Sequence, residues 1–188
     1  LGAPHLADVL DARAEARPYA CLEEQLRAQG IVIKTYADLA DDPDRVVKLY
    51  ELDWALWQNI PYGQAVTKRS LAQYTTDEIH HPTFIPDACF IAIKGGEFIG
   101  YLKLIEGDGD FSTDMTGVLA SYRGQGIATL LKLYSIHYAL AHGPRRISTQ
   151  NDLVNQAMLG LNKKLGFAEI GADLRFVKTM ASPPNPRS

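Results

Sequence analysis

With 188 residues, 46% of them hydrophobic and 22% charged, the chain can build one α/β domain with a sizeable core plus an appendage. A net charge of −3 and a pI of about 5.9 give no basic face for nucleic acid, and no apolar run approaches the ~20 residues of a membrane span. No signal-peptide pattern is visible, and the expected compartment is the cytoplasm. The two cysteines, Cys21 and Cys89, are expected as small buried thiols and not as a disulfide.

Residues 1–29 are rich in Ala, Leu, Glu and Arg. Leu6, Val9 and Leu10 suggest a short helical stretch. Pro18 then opens a second helix at its first turn, carrying Cys21, Leu22 and Leu26 and ending at Gly30. Residues 31–36 are β-rich and read as the first strand. After Asp42-Pro43 a helix carries Val46, Val47, Leu49, Tyr50, Leu52, Leu56 and Trp57 on its apolar side, and Ile60-Pro61-Tyr62-Gly63 stops it. Residues 64–87 read as irregular, with a short helix near Ser70, and His80-His81-Pro82 and Ile85-Pro86 keep the next segment extended. Strands at 88–94 and 97–105 form a hairpin around Gly95-Gly96, and 111–119 adds a third antiparallel strand. Beyond it come a helix from Ile127 to about His142, a short strand at 145–149 and a helix at 155–165 ended by Gly166. Residues 167–170 and 174–179 read as a closing pair of strands, and the proline-rich 181–188 as a disordered tail.

The organising stretch is where the third meander strand runs into a helix through Arg123-Gly124-Gln125-Gly126. Two glycines free the backbone to aim successive N–H groups at one spot, and the helix behind adds its own unpaired N–H groups and positive dipole end. This is an anion cradle. It lacks the Gly-Lys-Ser/Thr of a Walker loop and the third glycine of a dinucleotide fingerprint. Downstream, Asn151, Asn155 and Asn162 are poor helix formers grouped on or beside one helix. Asn155 and Asn162 are two turns apart and should share a face. They read either as caps or as ligands for something outside the chain. Tyr101 and Tyr134 read as core.

The order of strand, Arg123-Gly124-Gln125-Gly126-Ile127-Ala128, helix, short strand, then Asn155-Gln156-Ala157-Met158 through Leu165-Gly166-Phe167 resembles the GNAT superfamily of acyl-coenzyme A dependent N-acetyltransferases. The resemblance covers roughly residues 30–179. It implies an α/β (α+β) fold with a mixed, mostly antiparallel central sheet, flanked by helices and splayed between its fourth and fifth strands. It implies that the backbone of Arg123, Gly124, Gln125, Gly126, Ile127 and Ala128 holds the pyrophosphate of acetyl-coenzyme A. The edge at Val118 and Leu119 would pair with the pantetheine arm, and Asn151, Asn155 and Asn162 would bond its amides. Many relatives carry a tyrosine acid where this chain has Asn162, which can hydrogen-bond a thiolate but cannot protonate it as a phenol can. A catalytic carboxylate is expected near Asp114, with Glu78, His80 and His81 in the loop facing the acceptor. No metal is expected.

The function so implied is acetyl transfer to a primary amine of a small molecule by direct attack on the thioester. The alternative is a non-catalytic coenzyme A-binding domain. Residues 1–29 are similar to the connector of tandem GNAT proteins of the mycothiol synthase group, and 30–180 would be the acetyltransferase domain. Such a chain pairs with a preceding GNAT domain. The equal alternative is a single domain whose helical extension packs on its own sheet or on a second copy. No nucleic-acid or membrane partner is expected.

Overall fold

The computed structural model describes residues 12–58, 67–107, 109–142 and 146–171. Helix α1 spans Ala12–Ala28, strand β1 Ile31–Thr35 and helix α2 Arg45–Trp57. A one-turn helix α3, Leu71–Tyr74, leads into a π-helical turn at Thr75–Ile79. Then come β2 (Phe84–Lys94), β3 (Glu97–Gly107), β4 (Asp110–Val118), α4 (Ile127–Ala141), β5 (Ile147–Thr149) and α5 (Gln156–Lys164). The five strands form one sheet in chain order, antiparallel from β1 to β4, with β5 parallel to β4.

Strand alternation divides the core in two. Phe90, Ala92, Ile99, Leu102 and Leu104 join Leu26 of α1 and Ile127, Leu130 and Leu131 of α4. Cys89, Ile91, Phe98 and Tyr101 point the other way and meet Leu49, Leu52 and Leu56 of α2. α2 thus owns one face of the sheet, while α1 and α4 share the other. No described helix is long and apolar enough to cross a membrane.

The hairpin around Gly95-Gly96, the long helix behind the glycine loop and the Asn155 helix form where the pattern places them. Cys89 is buried as expected, and that burial pushes its thiol up to about 12. Three expectations are corrected. α1 runs through Pro18 instead of opening there. Cys21 is exposed, because Leu22 and Leu26 take the core side of α1. Residues 167–170 form no strand; after Gly166 the Phe167 N–H turns back to the Asn162 carbonyl at 3.0 Å, which ties the segment to the end of α5. The stretch around Leu6–Leu10, the stop at 60–63, the strand at 174–179 and the tail lie outside the described residues.

Candidate active site

β4 is paired on both sides for only part of its length. Its parallel bonds to β5 stop at Thr113↔Thr149, while its antiparallel pairing with β3 continues to Gly100↔Val118. From Asp114 onward one edge of β4 has no strand partner among the described residues, which is the expected splay. Leu119 N donates to Ile99 O at 2.9 Å, so the Leu119 N–H and the polar groups of Gly117 point to β3. Thr116 and Val118, between them, face the open edge. The Val118 carbonyl there accepts from Arg123 Nε at 3.1 Å. Of the expected edge pair, Val118 is therefore placed to meet a ligand backbone. Leu119 gives its N–H to Ile99 and its carbonyl to Tyr122 N at 2.9 Å.

The open edge leads into the glycine loop. A 3₁₀ turn at Ala120–Tyr122 precedes Arg123, and Gly124 and Gly126 take φ of +77° and +88°. Such values strain any residue with a Cβ. At Gly126 a Cβ would also sit 2.7 Å from Leu22 Cδ1 of α1, so α1 backs the loop. Gly126 is the N-cap of α4 and carries no capping side chain. The first helical bond is Leu130 N to Gly126 O at 3.0 Å, which leaves the N–H groups of Ile127, Ala128 and Thr129 ahead of the ladder. Arg123 braces the loop through Val118, and Gln125 lies half-buried between the glycines.

The three asparagines separate. Asn155 sits at the N-cap of α5, where its Oδ1 accepts from Met158 N at 3.2 Å. It lies outside the helix proper, so the two-turn spacing does not put it on a face with Asn162. Asn162 is buried, and its Oδ1 has no hydrogen-bond partner among the described residues. A buried amide oxygen without a donor costs about 1–3 kcal/mol. Asn151 is half-buried after β5.

A polar cluster lies on the α2 side of the sheet. Lys103 of β3 is almost fully buried and pairs with Glu78 Oε2 at 2.6 Å and Asp114 Oδ2 at 2.8 Å. Burial alone would lower the Lys103 ammonium, but the two carboxylates outweigh it and hold it above its ordinary value. Burial likewise pushes Glu78 up, yet Lys103 and Arg69, at 2.8 Å, bring it below the usual carboxylate range. Asp114 reaches this cluster through a β-bulge. Lys103 pairs with Met115 and Leu104 with Thr113, so Asp114 is the extra residue. Asp114, Lys103, Glu78 and His81 line a cavity of about 230 Å³. His80 is not among its lining residues. A second cavity of about 320 Å³ shares Glu78 and is walled by Tyr50, Trp54, Trp57, Tyr74 and Asp53. Among the described residues no group of three His, Cys, Asp or Glu side chains is arranged to hold a metal.

Asp53 and Lys103 had signals in the sequence that point to them. Asp53 falls four residues after Leu49 and three before Leu56, inside the apolar stripe of α2. Lys103 interrupts the apolar run Leu102–Leu104. Both are charges at core positions, which need a partner or a purpose.

Residues 46–167 match the family described as Acetyltransferase (GNAT) family. The mycothiol acetyltransferase of Streptomyces avermitilis is 26% identical over 184 residues, covering 93% of this chain and 57% of that protein. The N-alpha-acetyltransferase 30 of Schizosaccharomyces pombe is 31% identical over 88 residues, 44% of this chain and 58% of that one. The chain thus spans under three-fifths of the length of these curated relatives. The structure of AAC(6')-Iy with the bisubstrate analog CoA-S-monomethyl-acetylneamine overlays with a TM-score of 0.58 at 17% identity, covering 80% of this chain and 99% of that one. With the family match spanning most of the chain and its sheet opening ahead of the glycine loop, the protein belongs to the GNAT acetyltransferase family.

Proposed function

We propose that the protein is an acetyl-coenzyme A dependent N-acetyltransferase that acetylates a primary amine of a small molecule. The observation that carries this is the open edge of β4 from Asp114 onward, running straight into an uncapped helix N-terminus. A backbone edge beside an anion cradle suits a ligand with an amide-bearing arm and a phosphate end. The orphaned Asn162 Oδ1 fits the same ligand, since a pantetheine amide N–H would supply its missing donor. When bound, acetyl-coenzyme A supplies the activated acetyl group as a thioester.

In this reading the N–H groups from Arg123 through Ala128 hold the pyrophosphate and Val118 pairs with the arm. Asn162 and Asn151 face its amides, while Asn155 shapes the helix start. Asp114 stands on the acceptor side. Its carboxylate pairs with Lys103 at 2.8 Å. The site's main contribution is to hold amine and thioester together, worth up to ~7–11 kcal/mol for ideal alignment. The catalytic unit is taken as residues 30–180, with a preceding domain or a second copy as its partner, and the cytoplasm as its compartment. The names N-alpha-acetyltransferase 30 and aminoglycoside N-acetyltransferase AAC(6')-Iy are those of proteins that acetylate nitrogen, and this supports an amine acceptor here.

The test is release of free thiol from acetyl-coenzyme A across a panel of primary amines, beside calorimetric titration with coenzyme A. Turnover on at least one amine is expected. Tight coenzyme binding with no turnover on any amine would mark a non-catalytic coenzyme-binding domain, and absence of binding would overturn both readings.

A further inference from the structure

Asp53 is an aspartate on the buried side of α2, only 7% exposed. One of its oxygens, Oδ1, accepts a short hydrogen bond from the Tyr101 hydroxyl, which is itself buried. Among the described residues no cation forms an ion pair with it. The cations nearby are already engaged. Lys68 pairs with Glu51 at 2.7 Å, Arg69 with Glu78 and Asp77, and Lys103 with Glu78 and Asp114. Three cations face five carboxylates, and Asp53 is the carboxylate left over. It opens on the 320 Å³ cavity walled by Tyr50, Trp54, Trp57 and Tyr74. Those rings already attract a cation: Lys68 Nζ lies 4.4 Å from the Tyr50 centroid and 6.0 Å from that of Trp54.

The position of Asp53 relative to the open edge is equally specific. Gly117 of β4 has no side chain, and a Cβ there would lie 2.6 Å from Leu56 Cδ1. α2 therefore packs directly on the backbone of the unpaired half of β4. Asp53 precedes Leu56 by one helical turn on the same face. Tyr101, which holds Asp53, is the cross-strand partner of Gly117.

We infer that Asp53 receives the ammonium group of the acceptor in this aromatic cavity and takes its proton, with Tyr101 as the positioning residue. This rests on the acetyltransferase reading for the proton transfer, though not for the binding of the cation. The step balances as follows. The substrate ammonium gives one proton to the Asp53 carboxylate and becomes a neutral amine. Its lone pair forms the C–N bond, the C–S bond breaks, and one of the two protons left on nitrogen passes to the departing thiolate while the other stays as the amide N–H. The Asp53 carboxylic acid then returns its proton to water through the cavity. The environment agrees, since burial pushes the Asp53 carboxyl above its ordinary value, offset in part by the Tyr101 bond. Glu78, Lys103, Arg69, Tyr74 and Cys89 are the other charged or titratable groups that face it, with Lys68 on the wall of the same cavity, and all but Tyr74 and Cys89 are tied into ion pairs.

Binding of phenethylammonium and of its neutral counterpart 2-phenylethanol, compared by calorimetry at pH 7, tests the site without turnover. Wild type should prefer the ammonium about tenfold or more, and Asp53→Asn should lose that preference while its coenzyme A affinity is unchanged. On whichever amine turns over, Asp53→Asn should lower kcat/KM by about 10²-fold and remove the acidic limb of its pH profile. Tyr101→Phe should shift that limb to higher pH, because a donor to the charged carboxylate is gone; a merely structural tyrosine would leave the limb in place. The inference is overturned if wild type shows no preference for the ammonium, if Asp53→Asn keeps it, or if Asp114→Asn removes the acidic limb instead. Wild type that prefers the ammonium but binds no coenzyme A would refute the acetyltransferase reading and leave the cation site standing.

Discussion

Two buried charges show what a single residue can reveal. The folded protein holds the proton of Asp53 above the ordinary 3.8, so between that value and the folded one it binds a proton the unfolded chain has released. Stability then falls as pH rises through that window. Asp53→Asn keeps an acceptor for Tyr101 and removes the charge. We expect it to raise the stability at pH 7 by about 1–2 kcal/mol, with the gap to wild type closing as pH falls toward 4, as read by thermal melts across pH. Lys132 of α4 is the opposite case. It is 1% exposed with no carboxylate partner among the described residues, burial holds it down to about 8, and its ammonium lies 5.1 Å from the Phe167 ring centroid. The unfolded chain binds this proton more tightly, so stability rises with pH from about 8 to the ordinary 10.5. Lys132→Met should add about 1–3 kcal/mol at pH 7, the ring's attraction for the charge offsetting part of the gain, and should flatten that rise.

Among the elements, the glycine loop and the α2–β4 contact depend on the absence of side chains. Gly126→Ala forces a Cβ into φ +88° and against Leu22. It should cost about 1–3 kcal/mol and weaken coenzyme A binding, measured by denaturant unfolding and titration. Gly117→Ala meets Leu56 instead; pairing it with Leu56→Ala should cost less than the two single changes added, a double-mutant cycle being the check. The loop was legible in the sequence because its physics is local: two glycines, a strand before, an apolar helical stripe after. The role of Gly117 was not, because what makes it necessary is a leucine sixty-one residues earlier in the chain. Asn155 and Asn162 look alike in sequence, and only the helix boundary tells the cap from the buried amide.

At the scale of the whole molecule, the two faces of the sheet and its opening are three separate environments. α1 and α4 stand behind the glycine loop, α2 and the π-helical turn enclose the polar cluster on the other face, and the gap between β4 and β5 lies between them; in the function proposed above these become the phosphate end, the acceptor side and the place where the two meet. The Thr116 and Val118 amides, facing the open edge, should exchange with solvent faster than that of Leu119 and become protected when coenzyme A is added, by hydrogen-exchange NMR. The three-stranded meander followed from periodicity and turn residues, and the sheet flanked by helices from the family resemblance. The polar cluster did not follow from either, because Asp53, Glu78, Lys103 and Asp114 come from four separate elements and meet only when the sheet is assembled.

The bulge at Asp114 gives β4 a reading frame. Before it, Phe111 faces the α4 layer; after it, the odd-numbered Met115 and Leu119 face the α2 layer and the even-numbered Val118 takes over the α4 side. Deleting Asp114 would set Met115 directly after Thr113 and restore a regular ladder with every downstream side chain in its present layer. Loss of a second residue would have no bulge left to absorb it, and would turn Val118 toward α2 and Met115 into the other core. The bulge is therefore where this strand can absorb a one-residue change in length, at the expense of the Asp114 carboxylate that pairs with Lys103.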